Sequence, residues 1–207
     1  YTEENTLSLH DALPIYLGLF MAAYFCAGFG YVISATFIVA IVDKLPGLQG
    51  QGALAFLAIG LAAAPACINW DFIARYIGDL NALILAALLQ IVGIVLPVAA
   101  GGLIPTLFGA LLFGGTFIGM VSLVLTMAGR FYPTRPAKMM GKMTLSYGAA
   151  QIIGPAVVGW LATRLGDYSI GLYLAGGMMV VGTVLLAILK LVEKRDAAVA
   201  LQPCLQN

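Results

Sequence analysis

The side chains best placed to meet a ligand in this chain are polar but uncharged. Tyr24, Tyr31 and Ser34 are spaced by seven and three, and Thr144, Tyr147 and Gln151 by three and four, so each set falls on one face of a helix. Tyr31 with Ser34, Thr116, and Gln151 stand near the centres of three separate apolar stretches. Such groups offer hydrogen bonds without charge, the chemistry of a site for a small-molecule substrate. Each could instead bond a neighbouring helix, at about 0.6–2 kcal/mol per bond. As a set of stripes they point to a cavity, with Tyr24, Tyr31, Ser34, Thr116, Tyr147 and Gln151 as its candidate residues.

Catalysis has no comparable set. Serine-type hydrolysis needs a base, metal-dependent cleavage needs histidine and carboxylate ligands, and aspartyl cleavage needs two embedded acids. The only histidine is His10, near the N-terminus, and no acid falls at the centre of an apolar stretch. Cys26, Cys67 and Cys204 have no paired spacing. No catalytic residue, metal site or cofactor is therefore expected. A non-catalytic structural or assembly protein remains an alternative, and an intramembrane enzyme a weaker one.

The elements that position these groups follow from composition. Of 207 residues, 62% are hydrophobic and 9% charged, with a mean hydropathy of +1.02. A soluble domain runs about 45–50% apolar and about 25% charged. The solvent is thus a lipid bilayer, and soluble enzyme, disordered chain and nucleic-acid-binding module are excluded; no nucleic-acid partner is expected.

Residues 1–15 differ from the rest of the chain, with Glu3, Glu4, His10 and Asp11 ahead of an abrupt apolar onset. Residues 6–15 resemble the translation of a sequencing-adapter oligonucleotide, so 1–15 are expected to be a non-native leader. Beyond it lie charge-free runs at 16–42, 45–70, 80–129, 143–163 and 168–189. A crossing takes about 20 apolar residues, and the 50-residue run must hold two, turning near Pro97 and Gly101–Gly102. An all-α integral membrane fold with six transmembrane helices is predicted, at about 16–42, 53–73, 80–98, 103–128, 144–164 and 169–190. The domain spans 16–196, and 197–207 form a tail.

An even number of crossings puts both ends on one side. That side carries Arg75, Arg130, Arg135, Lys138, Lys142, Lys190, Lys194 and Arg195, against Lys44 and Arg164 on the other, so both ends are expected to be cytoplasmic. Asp71 and Arg75, four apart, read as a structural pair, and Gly78 as the residue that ends their helix. The loop 130–138 reads as an ordered connector whose basic residues set topology.

Small residues mark close packing and hinges. Gly115, Gly119, Ser122 and Thr126 form one stripe, while Gly154, Pro155 and Gly159 fall in the fifth predicted helix. Pro155 removes a helix hydrogen bond near mid-membrane, where a hinge is useful to a protein that rocks between two states.

The segments 26–37 (CAGFGYVISATF), 112–123 (LFGGTFIGMVSL) and 147–155 (YGAAQIIGP) resemble the major facilitator superfamily, in particular its bacterial YbfB/YjiJ group. The likeness runs over nearly all of 16–207. It implies the C-terminal six-helix half of a twelve-helix secondary transporter of the bacterial inner membrane. The absent N-terminal half would be its partner, and solute would cross by alternating access. The family's loop between the second and third helices survives only as Ala74-Arg75 and Gly78.

Overall fold

The computed structural model describes the backbone of 3–44, 47, 49–165 and 169–201, and the side chains of 16–40, 42–43, 47, 49–164 and 170–194. Cys204 and the rest of 202–207 lie outside the described residues. Among the described residues every regular element is helical: α1 (Glu3–Lys44), α2 (Gly52–Ala63), α3 (Ala66–Ile77), α4 (Asp79–Ala100), α5 (Leu103–Phe131), α6 (Pro136–Leu165) and α7 (Ser169–Leu201). Five of them carry segments long and apolar enough to cross a bilayer: Tyr16–Ala40, Asp79–Ala100, Leu103–Phe131, Pro136–Arg164 and Ile170–Lys194. The α2–α3 pair, bent by 49°, passes the same test only when its two helices are taken together, and counted as one broken span it makes a sixth.

That bend divides the helix expected at 53–73. Ala64 still donates its amide to the Gly60 carbonyl at 3.2 Å, completing α2. Pro65 has no amide hydrogen for the Leu61 carbonyl, so the ladder stops and restarts with Asn69 N donating to Pro65 O at 3.1 Å. Pro97, placed by the sequence at a turn, instead lies inside α4. The turn is made by Gly101 and Gly102, whose φ of 63° and 80° few other residues would adopt. Proline also moves the start of α6. Pro136 has the backbone angle of a first helical residue and no amide to leave unpaired, so α6 begins eight residues before the expected 144.

Helix packing follows the small residues. α1 packs chiefly on α7 and α6, α4 on α5 and α7, and α2 and α3 on α5. Where α4 meets α5, a Cβ added to Gly93 would lie 2.8 Å from Phe113 N, and one on Gly109 would lie 2.9 Å from Gly93 O. Pro97 deprives that Gly93 carbonyl of its usual helical donor, and its ring lies against Gly109. At the α2–α5 contact the closest approach is Gly114, which meets the Ile59 backbone; Gly115 beside it has only Ala62 O at 4.0 Å. Gly119 carries the Trp70 ring, and Trp70 Nε1 donates to Gly115 O at 2.6 Å, tying α3 to α5. Gly154 meets Val32 of α1, whereas a Cβ on Gly159 would meet nothing within 4 Å. Close packing thus explains Gly119 and Gly154 but not Gly159. α6 continues as helix through Pro155.

Among the described residues the charged side chains form two ion pairs. Asp71 and Arg75 pair along α3 at 2.8 Å, as their spacing predicts. Arg130, at the end of α5, pairs with Asp79 at the start of α4. At the opposite end Asp43 accepts the amides of Gly50 at 3.1 Å and Gly52 at 3.0 Å, closing the α1–α2 connection over the first turn of α2. The two ion pairs are exposed, so each is worth little to stability.

Candidate functional site

Between α1, α2 and α5 the bundle holds a cavity of about 300 Å³. α1 contributes Tyr31 and Thr36, α2 contributes Phe56 and Ile59, and α5 contributes Phe113 and Phe117 one turn apart. Tyr31 lies almost parallel to Phe113, with centroids 6.2 Å apart and planes at 8°, and stacks on Phe117 at 4.8 Å. Its other flank faces Tyr147 of α6 at 5.9 Å, and Tyr147 rests on Tyr24 at 4.6 Å. A continuous row of rings therefore runs from α6 through α1 into the cavity wall. Among the described residues no charged side chain lines this cavity, and its polar groups are the hydroxyls of Tyr31 and Thr36.

The six residues nominated from sequence do not all meet there. Tyr31 lines the cavity, and Tyr147 and Tyr24 stand behind it in the aromatic row. Thr116 is buried, and its hydroxyl donates to the Leu112 carbonyl at 2.8 Å and is 3.1 Å from that of Phe113, within its own helix. Ser34 is 3% exposed, and its hydroxyl has no hydrogen-bond partner among the described residues. Gln151 is half-buried on α6, outside the cavity lining, also without a described hydrogen bond. Apart from the Arg130–Asp79 pair, two side chains the sequence did not single out tie one helix to another. Ser146 of α6 donates to Met21 O of α1 at 2.9 Å, and Trp70 to Gly115 O. None of the six nominated residues makes such a bond among the described residues.

Sequence reasoning also missed Phe113 and Phe117, although their spacing of four puts both on one face of α5. It missed Gln90, a glutamine at mid-helix in α4 that is 1% exposed, with its side-chain carbonyl oxygen unpartnered. The signal was present: a single amide among the apolar residues 82–100. Among the described residues no group of His, Cys, Asp or Glu side chains is arranged to hold a metal ion.

Comparison with known proteins agrees with this architecture. Among curated proteins no relative matches the chain significantly. Among solved structures it is similar to an in meso crystal structure of the POT family transporter PepTSo, with a TM-score of 0.72 and 15% identity over 84% of this chain and 37% of that one. It is equally similar to an auto-inhibited POT family peptide transporter, with a TM-score of 0.72 and 15% identity over 86% of this chain and 37% of that one. At that identity the likeness establishes the fold, and the chain spans little more than a third of each of these proteins. The family model described as "Uncharacterised MFS-type transporter YbfB" matches residues 4–187, and the chain accordingly belongs to this family of multi-pass major facilitator superfamily transporters.

Proposed function

We propose that this bundle is the C-terminal half of a twelve-helix secondary transporter. It acts with a second six-helix bundle to move a small, uncharged, largely apolar solute by alternating access. The carrying observation is the charge-free aromatic cavity at Tyr31, Phe113 and Phe117. An ion there would find no counter-charge among the described residues, whereas a neutral ring system gains contact area and stacking. The nominated polar residues support the reading, because none makes a hydrogen bond to another helix among the described residues and Tyr31 lines the cavity. Membership of a transporter family favours a carrier over a catalyst.

The test uses the purified chain in detergent and a neutral aromatic probe, indole, beside indole carboxylate, in which a charged carboxylate replaces one ring hydrogen. Indole should raise the thermal unfolding midpoint saturably, and indole carboxylate should not. Equal stabilisation by the two would remove the charge-free cavity as the basis of the reading.

We further place the bundle in the inner membrane with both ends cytoplasmic, on the strength of the basic residues gathered at one end. In a Cys67→Ser background, Cys204 should react with a membrane-impermeant maleimide only after cells are opened. Gly50→Cys in a Cys67→Ser/Cys204→Ser background should react in intact cells. The reverse pattern would invert the orientation.

A further inference from the structure

We propose that a cleft at the start of α6 binds a phosphate group through Arg135, Lys138 and Lys142. The cleft, of about 260 Å³, is lined by these three cations with Tyr132, Thr134 and Met139, and among the described residues no carboxylate takes part. Arg135 immediately precedes α6, and the spacing of three and four brings Lys138 and Lys142 onto the same stripe. All three are exposed and make no ion pair among the described residues. Their grouping is electrostatically unfavourable in the chain alone. Like charges three and four apart on a helix repel, and cations in a first turn oppose the helix dipole; the first turn of α6 has no acid to offset them.

The need for positive charge on one side of a membrane is met by basic residues anywhere near the helix ends. It does not require three of them to converge on one cleft. A larger cleft of about 450 Å³ at the same end of the bundle shows the contrast. It also contains three cations, Arg130, Lys190 and Lys194, but Asp79 and Glu193 share it and Asp79 already pairs with Arg130. At the α6 cleft, a dianionic or monoanionic phosphate would relieve both repulsions at once. The hydroxyls of Tyr132 and Thr134 can complete its hydrogen bonds, and Met139 supplies an apolar wall for the carbons of the esterified alcohol. The phosphate can belong to an anionic lipid headgroup or be free in solution.

The experiment follows the thermal midpoint of the purified chain in detergent. The additives are dihexanoyl phosphatidylglycerol, dihexanoylglycerol, which lacks the phosphate, and inorganic phosphate. Phosphatidylglycerol should stabilise saturably and dihexanoylglycerol should not. At about fivefold per cation, Arg135→Gln/Lys138→Gln/Lys142→Gln should raise the half-saturating concentration about a hundredfold. An equal loss of charge from α7, in Lys190→Gln/Lys194→Gln/Arg195→Gln, should shift it less than about twofold. Stabilisation by inorganic phosphate that depends on the same three residues assigns the site to a free anion, and its absence assigns it to the lipid. If the triple variant does not fold, Lys138→Gln should weaken binding about fivefold and Lys138→Arg should restore it. No saturable response to either phosphate compound, an undiminished response in the α6 variants, or an equal fall in the α7 variant would overturn the proposal.

Discussion

Tyr31→Ala should weaken indole binding to the chain about tenfold or more, read as the half-saturating concentration for thermal stabilisation. The substitution removes the ring that forms one wall of the cavity and stacks on Phe117. It also cuts the aromatic row at its middle, since Tyr31 joins Phe117 to Tyr147, so the unliganded chain should lose about 1–3 kcal/mol of stability. Tyr31→Phe separates the ring from the hydroxyl. The hydroxyl makes no hydrogen bond among the described residues, so stability should stay within about 0.5 kcal/mol of the parent. Binding should fall about fivefold if indole meets the hydroxyl, one modest hydrogen bond's worth. A Tyr31→Ala chain that binds indole as well as the parent would remove this cavity from the site.

The aromatic wall also shows why part of this molecule was legible in its sequence and part was not. Spans, turns and local pairs depend on residues close in sequence. The charge-free runs located the crossings, Gly78 has the φ of 89° expected of a helix-ending glycine, and Asp71 pairs with Arg75 across one turn. Contacts between helices depend on rotation and depth, which a run of apolar residues does not encode. The stripe through Gly115 and Gly119 has the right period for packing, yet the tightest approach is at Gly114, and Trp70 arrives over Gly119 from a helix forty-odd residues away in sequence. Asp43 and Asp79 counted only as the ends of apolar runs, although each organises a connection through partners seven to 51 residues distant. Proline was ambiguous for a related reason. Pro65 breaks a crossing, while Pro97 and Pro155 sit inside continuous helices, so the residue type alone did not locate the break.

The two glutamines within the spans should respond differently to leucine. Gln90 is buried in α4 with its side-chain carbonyl oxygen unpartnered, so it bears a desolvation cost that no hydrogen bond returns. Gln90→Leu keeps most of the volume and removes that oxygen, and it should stabilise the chain by about 1–3 kcal/mol. That sign is unusual for a buried position, where most substitutions destabilise. Gln151 is half-buried and makes no described hydrogen bond, so Gln151→Leu should change stability by less than about 0.5 kcal/mol. Melting both variants in the same detergent decides the matter. A destabilised Gln90→Leu chain would mean that an internal water satisfies the carbonyl and is lost with it. A stabilised Gln90→Leu chain that still binds indole as the parent does would have a different consequence. The glutamine would then be costly at rest and unneeded by the cavity, which assigns its use to an arrangement other than this one. On the alternating-access reading proposed above, the transporter populates a second arrangement, and the amide's partner is to be sought there.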